Sequence, residues 1–187
     1  MRVALDGNLG SRIQTYLHKL KTDGYNVIFE TPCETLQTKY NTDKSRYALS
    51  YHLNALNTYI KAPSTNGHIC IYERSPYTLK HIYADLDADL LVMDTDEHRV
   101  YQSLSETYGW HPDVIIYCYC DPAISHSRLG TNSKVSLMDI TTLHIRHEYA
   151  LDDHNCPIPI YKINDCEDED TIYRCLLEIL YKLHLNK

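Results

Sequence analysis

Val3-Ala4-Leu5-Asp6-Gly7-Asn8-Leu9-Gly10-Ser11-Arg12-Ile13-Gln14-Thr15 opens the chain with an apolar run, a glycine-containing turn and the start of a helical pattern. In that context, backbone N–H groups at a helix start can cradle a phosphate. A working phosphate loop reads Gly-x-x-x-x-Gly-Lys-Ser/Thr. With Gly7 as the first glycine, Arg12 stands at the second glycine, Ile13 at the lysine and Gln14 at the hydroxyl residue. The frame is kept, while the lysine charge and the magnesium-binding hydroxyl are absent. The candidate loop residues are Gly7, Asn8, Gly10, Ser11, Arg12 and Ile13.

Working outward, four more short runs are apolar on both faces, as strands of a covered parallel sheet are. They are Asn26–Phe29, His68–Tyr72, Asp113–Cys118 and Pro157–Ile163, and with Arg2–Leu5 they make five. Helical spacing is expected over Ser11–Asp23, Lys44–Ile60, Thr95–Tyr108, Leu137–Leu151 and Asp168–Leu185. The Asp94-Thr95-Asp96 cluster suits an N-cap. Strand–helix alternation without repeats predicts a three-layer α/β fold around one parallel sheet. No linker divides it, so residues 1–187 read as a single domain, with Lys61–Gly67 as a connection. The acidic stretch Asp165–Asp170 reads as a solvated loop leading into the last helix, where negative charge is favourable. Tyr173, Leu176, Leu177, Leu180 and Leu183 give that helix an apolar stripe for core packing.

The chain has 187 residues, with 18 Lys+Arg against 25 Asp+Glu and a formal net charge of −7. That balance argues against a nucleic-acid binder, which carries a basic face. The longest apolar runs are too short to span a membrane, and no signal peptide is expected ahead of the first strand. Seven scattered cysteines without paired ligand spacing read as small buried hydrophobes in a reducing, cytoplasmic compartment. His144 and His147 lie one helical turn apart and read as a helix-surface pair.

In open α/β sheets, ligands bind outside the carboxyl ends of the strands. Those ends are Asp6–Ser11, Glu30–Cys33, Glu73–Ser75, Cys120–Pro122 and Asn164–Cys166. All five carry a carboxylate, and Glu73–Ser75 also carries an arginine. At Glu73-Arg74-Ser75 an acid suited to magnesium sits beside a guanidinium suited to phosphate oxygens.

The order of these segments resembles the deoxynucleoside kinase family over roughly residues 2 to 172. Asp6-Gly7-Asn8-Leu9-Gly10-Ser11 is similar to the family's Glu-Gly-Asn-Ile-Gly-Ser, and Glu30-Thr31-Pro32 to its Glu before Pro. Tyr40-Asn41 followed by Tyr47-Ala48-Leu49-Ser50-Tyr51-His52 resembles Tyr-Asn … Trp-Ala-x-x-Phe-Gln. Glu73-Arg74-Ser75 is its Glu-Arg-Ser. Asp113-Val114-Ile115-Ile116-Tyr117 with Asp121-Pro122 resembles its fourth strand. Leu143-His144-Ile145-Arg146-His147-Glu148 is similar to its Leu-His-x-x-His-Glu, and Pro159–Asp165 falls where its fifth strand meets the adenine loop.

The resemblance implies a P-loop-kinase-like fold of five parallel strands flanked by helices. It implies that Glu30 acts as general base on a deoxynucleoside 5′-hydroxyl and that Arg74 steadies Glu30 and the phosphoryl group. Glu73 would help hold magnesium and line the substrate site. Tyr40 would bond the sugar 3′-hydroxyl, and His52 would stand where glutamine reads the base. An active member would use ATP and magnesium on a deoxynucleoside or nucleotide, as a homodimer. Two departures weigh against turnover. One is the altered loop. The other is the interval Arg128–Val135, shorter than the family's lid, with only Arg128 and Lys134 as cations and no glutamate to assist Tyr40. Three readings follow: a nucleoside- or nucleotide-binding protein with weak or no kinase activity, a divergent active kinase, and an interaction subunit using only the fold's surface. The retained acceptor-side residues favour the first.

Overall fold

The computed structural model describes residues 1–31, 33–61, 68–130 and 133–185. Pro32, most of the expected connection 61–67 and the lid positions Thr131 and Asn132 lie outside them. Five strands form one wholly parallel sheet: β1 (Arg2–Gly7), β2 (Asn26–Ile28), β3 (Cys70–Glu73), β4 (Val114–Tyr119) and β5 (Ile160–Asn164), in the order β2-β3-β1-β4-β5. The three-layer fold expected from the alternation is the one observed.

Strand alternation divides the core between the two faces. Val3 and Leu5 of β1, with Val114, Ile116 and Cys118 of β4, pack under helices α1 (Ile13–Thr22) and α9 (Glu169–Leu185). Ile172, Leu176, Leu180 and Leu183 supply the α9 side, largely the expected stripe. Ala4, Ile115 and Tyr117 face the other way, toward α8 (Leu137–Ala150) and a helical run after β3. Burying that many aliphatic and aromatic side chains, each contributing about 1.5–3 kcal/mol, is what holds the sheet between its layers.

Helices α3 (Lys44–Ile60) and α6 (Thr95–Tyr108) match their expected spans. Asp94 caps α6 by accepting from the Asp96 and Glu97 N–H groups at 2.9 and 2.8 Å, and Glu97 returns a bond to the Asp94 N–H. Helix α7 (Pro122–Arg128) is capped by Asp121. Two helical regions carry no amphipathic signal. Helix α2 (Glu34–Thr42) has no buried residue. The run after β3 comprises α4 (Pro76–Thr78), a π-helical segment Leu79–Ala84 and α5 (Asp85–Asp89). Its extra residue per turn shifts the buried positions off the 3.6-residue period.

Gly10 is where helix α7 meets the first loop. Its φ is +79°, and a Cβ there would sit 2.2 Å from the Ser125 carbonyl oxygen. Gly10→Ala is therefore expected to push α7 off the loop and cost about 1–3 kcal/mol, read as a lower urea midpoint at unchanged m-value.

Candidate nucleoside and phosphate site

The carboxyl ends of β1, β2 and β3 bring Glu30, Glu73 and Arg74 together. Glu30, two residues past β2, accepts from Arg74 Nη1 at 3.0 Å and from the Tyr59 hydroxyl at 3.3 Å. Its side chain is 4% exposed. Arg74 has φ +63°, a left-handed conformation that costs a non-glycine residue about 1–3 kcal/mol unless its surroundings hold it there. Three contacts do so: its N–H on the Leu5 carbonyl at 3.0 Å, its guanidinium on Glu30, and the same group 4.8 Å over the Tyr83 ring. Strain of this kind gathers at functional sites. Arg74 Nε is buried without a partner.

Glu73 is buried and doubly engaged. One oxygen accepts from Gln14 Nε2, the other from the Glu30 N–H at 3.1 Å. Burial, with Glu30 close by, pushes its pKa up although Arg74 pulls it down. Each oxygen keeps a lone pair beyond these bonds, the capacity that the magnesium-holding role implied by the resemblance would use.

A second cluster joins Tyr40 and His52, and it includes a residue that sequence reading missed. The buried Asp87 of α5 accepts from the Tyr40 hydroxyl at 2.6 Å and lies 2.9 Å from His52 Nε2. A carboxylate only accepts, so Nε2 is assigned the proton, which leaves Nδ1 of a neutral ring as an acceptor. That Nδ1 is buried without a partner. Tyr40 stacks on Tyr51 at 4.4 Å, and His52 packs edge-on against Tyr51 and at a tilt against Tyr101. Burial and the Asp87 charge hold the Tyr40 phenol well above its ordinary pKa. Asp87 escaped notice because it lies just past the π-helical segment, where no period marks a facing side.

The phosphate-loop candidates are held largely by the protein itself. The Gly7 N–H bonds Asp6 Oδ1 at 2.7 Å, the Leu9 N–H bonds Asn8 Oδ1 at 2.8 Å, and the Ser11 N–H bonds the Asn8 carbonyl at 3.0 Å. Asn8 Nδ2 also ties the loop to the Ile140 carbonyl of α8 at 3.0 Å. Ser11 Oγ is buried without a partner. Ile13 points into the core, 4% exposed.

Arg12 turns away to Asp165. Its N–H, Nε and Nη2 reach Asp165 Oδ2, Oδ1 and carbonyl oxygen at 3.0, 3.1 and 2.8 Å, and Nη2 also reaches the Glu167 carbonyl at 2.6 Å. Arg128 Nη1 bonds Asp165 Oδ2 at 2.9 Å, and the Tyr16 hydroxyl bonds Oδ1 at 2.6 Å. Asp165 is thus a wholly buried hub and not part of a solvated loop. A run of acidic residues hid the one member that has two arginines waiting for it.

His147 also differs from its surface reading. It is fully buried, stacked on Tyr117 at 5.5 Å, with Nδ1 donating to the Leu143 carbonyl at 2.8 Å and Nε2 at 3.4 Å from Asp6. Burial would raise the Asp6 pKa, but His147 and Arg74 hold it below the ordinary carboxylate value.

Among the described residues, no helix is long and apolar enough to cross a membrane, and no group of three or more His, Cys, Asp or Glu side chains is placed to hold a metal ion. The chain is 28% identical over 204 residues to a protein of fowlpox virus (strain NVSL) named a probable deoxycytidine kinase, covering 96% of this chain and 86% of the viral protein. It is 23% identical over 145 residues to a protein of invertebrate iridescent virus 6 described as a kinase, covering 74% of this chain and 73% of that protein. Its fold matches a deoxyadenosine kinase from M. mycoides, solved with dCMP and dCDP, at a TM-score of 0.84 and 18% identity. That match covers 97% of this chain and all of the other. The family model for deoxynucleoside kinases matches residues 3–180. The chain belongs to the deoxynucleoside kinase family.

Proposed function

We propose that this protein binds a deoxynucleoside or nucleotide through its acceptor-side residues and transfers phosphate weakly or not at all. The proposal takes residues 1–187 as one domain of a cytoplasmic homodimer. The exposed Met138, Ile145 and Tyr149 of α8 would supply an apolar face for pairing. One observation carries the functional reading: each side chain standing where the loop's chemistry belongs is held elsewhere. Arg12 is on Asp165, Ile13 is in the core and Gln14 is on Glu73. The residues present therefore do not fit a magnesium–ATP complex.

On the acceptor side the chemistry is intact. Glu30, oriented by Arg74 and Tyr59, is the base candidate for a 5′-hydroxyl. Tyr40 and His52, joined by Asp87, form the wall for sugar and base. Asp87 gives Tyr40 the carboxylate partner that the shortened lid lacks. The alternative, a divergent active kinase supplying deoxynucleoside monophosphates from ATP, draws support from the retained Glu30–Arg74 pair.

Ligand-induced thermal shifts test the reading. A deoxynucleoside at about 100 times its Kd is expected to stabilise the protein by about 2.7 kcal/mol. Magnesium–ATP at millimolar concentration is expected to shift the melting temperature little. A shift with ATP and none with any deoxynucleoside would overturn the reading.

A further inference from the structure

The reading of the cysteines as small buried hydrophobes holds for Cys70, Cys118, Cys120 and Cys156, whereas Cys33 and Cys175 are exposed and Cys166 is half-buried. Cys120, immediately after β4, and Cys166, two residues after β5, bring their Sγ atoms to 3.6 Å. Parallel pairing of β4 with β5, and the Asp165 N–H on the Tyr119 carbonyl at 2.7 Å, hold the two turns side by side. A disulfide needs about 2.05 Å, so bonding asks only for a closing movement within two adjacent turns.

Each sulfur also faces a donor. Arg128 Nη1 lies 3.4 Å from Cys120 Sγ, and the Asp121 N–H lies 3.3 Å from Cys166 Sγ. Burial pushes the Cys120 thiol above its ordinary value although Arg128 pulls it down, which suits Cys120 to the resolving and not the attacking role. Access differs between the two: Cys120 is buried and Cys166 is half-buried. This is the arrangement of an attacking thiol backed by a resolving one.

We propose that Cys120 and Cys166 form an oxidation site for hydroperoxides, closing to a reversible disulfide. The Cys166 thiolate attacks the peroxide O–O bond, which breaks to leave a sulfenic acid and release hydroxide. The Cys120 sulfur then attacks the sulfenic sulfur, forming the S–S bond as the second oxygen leaves as water. Overall, two thiols and one hydrogen peroxide give one disulfide and two waters. The bond fastens the residue next to Asp165 to the turn before α7. Oxidation therefore acts on the hub that holds Arg12, with no bound nucleoside required.

The test uses the full chain with near-stoichiometric hydrogen peroxide, alkylation of remaining thiols, and peptide mapping without reduction. A Cys120–Cys166 linked peptide, lighter by two hydrogens and reopened by dithiothreitol, is expected. It should form before the exposed Cys33 and Cys175 are consumed. In Cys120→Ser, the Cys166 sulfenic acid should persist and be trapped by dimedone. Recovery of both peptides alkylated as in the untreated protein would overturn the proposal. So would sulfinic acid at Cys166 of the unmutated protein with no linked peptide.

Discussion

Replacing Asp165 by alanine is expected to destabilise the protein by about 3–5 kcal/mol, the cost of breaking a buried ion pair by removing one partner. The geometry puts it in that class. Asp165 has 0% side-chain exposure, whereas Arg12 and Arg128 are 19% and 23% exposed. Alanine would leave two guanidiniums and the Tyr16 hydroxyl facing a gap, and would free the Arg12 N–H at the start of α1. For a chain of this size about 2–4 °C of melting temperature accompanies each kcal/mol, so a fall of roughly 6–20 °C is expected in calorimetry. Asp165→Asn keeps one accepting oxygen and should lose less. A loss under about 1 kcal/mol for alanine would mean the arginines find water instead, as at exposed ion pairs.

Asp87→Asn is expected to weaken deoxynucleoside binding by about 1.5–3 kcal/mol, roughly 10- to 150-fold in Kd. The substitution keeps the volume and removes the charge that orders both Tyr40 and His52. It also frees the His52 tautomer, since an amide can donate where a carboxylate cannot. Isothermal titration with each deoxynucleoside reads the effect, and the exposed Asp96→Asn serves as a charge-matched control. An unchanged Kd would remove Asp87 from the binding wall and leave its bonds a matter of folding alone.

The sequence carried the sheet and the long helices because their apolar periods follow from burial on two faces or one stripe. Helix α2 stayed hidden because none of its residues is fully buried and Tyr40 is only partly so. The Pro76–Asp89 run stayed hidden because its π-helical turn disrupts the period, and Asp87 was hidden with it. Glu30, Tyr40, His52, Glu73 and Arg74 are candidates from the sequence alone because they end strands or resemble family motifs in order. Their partners could not be picked out. Gln14 on Glu73, Asp87 on Tyr40 and Asp165 on Arg12 are contacts between segments 47 to 153 residues apart. Their chemistry is side-chain pairing in space, which leaves no local pattern along the chain.

Phosphoryl transfer rests on positioning and on charge placed around the phosphates. Losing a single preorganised donor costs about 10²–10³ in rate, and losing an arginine finger about 10³–10⁵. Ile13 and Gln14 stand where the motif has its lysine and hydroxyl residue, and Arg12 is bound to Asp165. The most direct measurement is therefore a phosphoryl-transfer assay with magnesium–ATP and the four deoxynucleosides, with Glu30→Gln run alongside. The expected result is no product above the Glu30→Gln background under conditions where deoxynucleoside binding is detected. Turnover of roughly 1–100 per second, typical of kinases, that disappears in Glu30→Gln would contradict it. The protein would then be an active kinase in which another cation has taken the lysine's place.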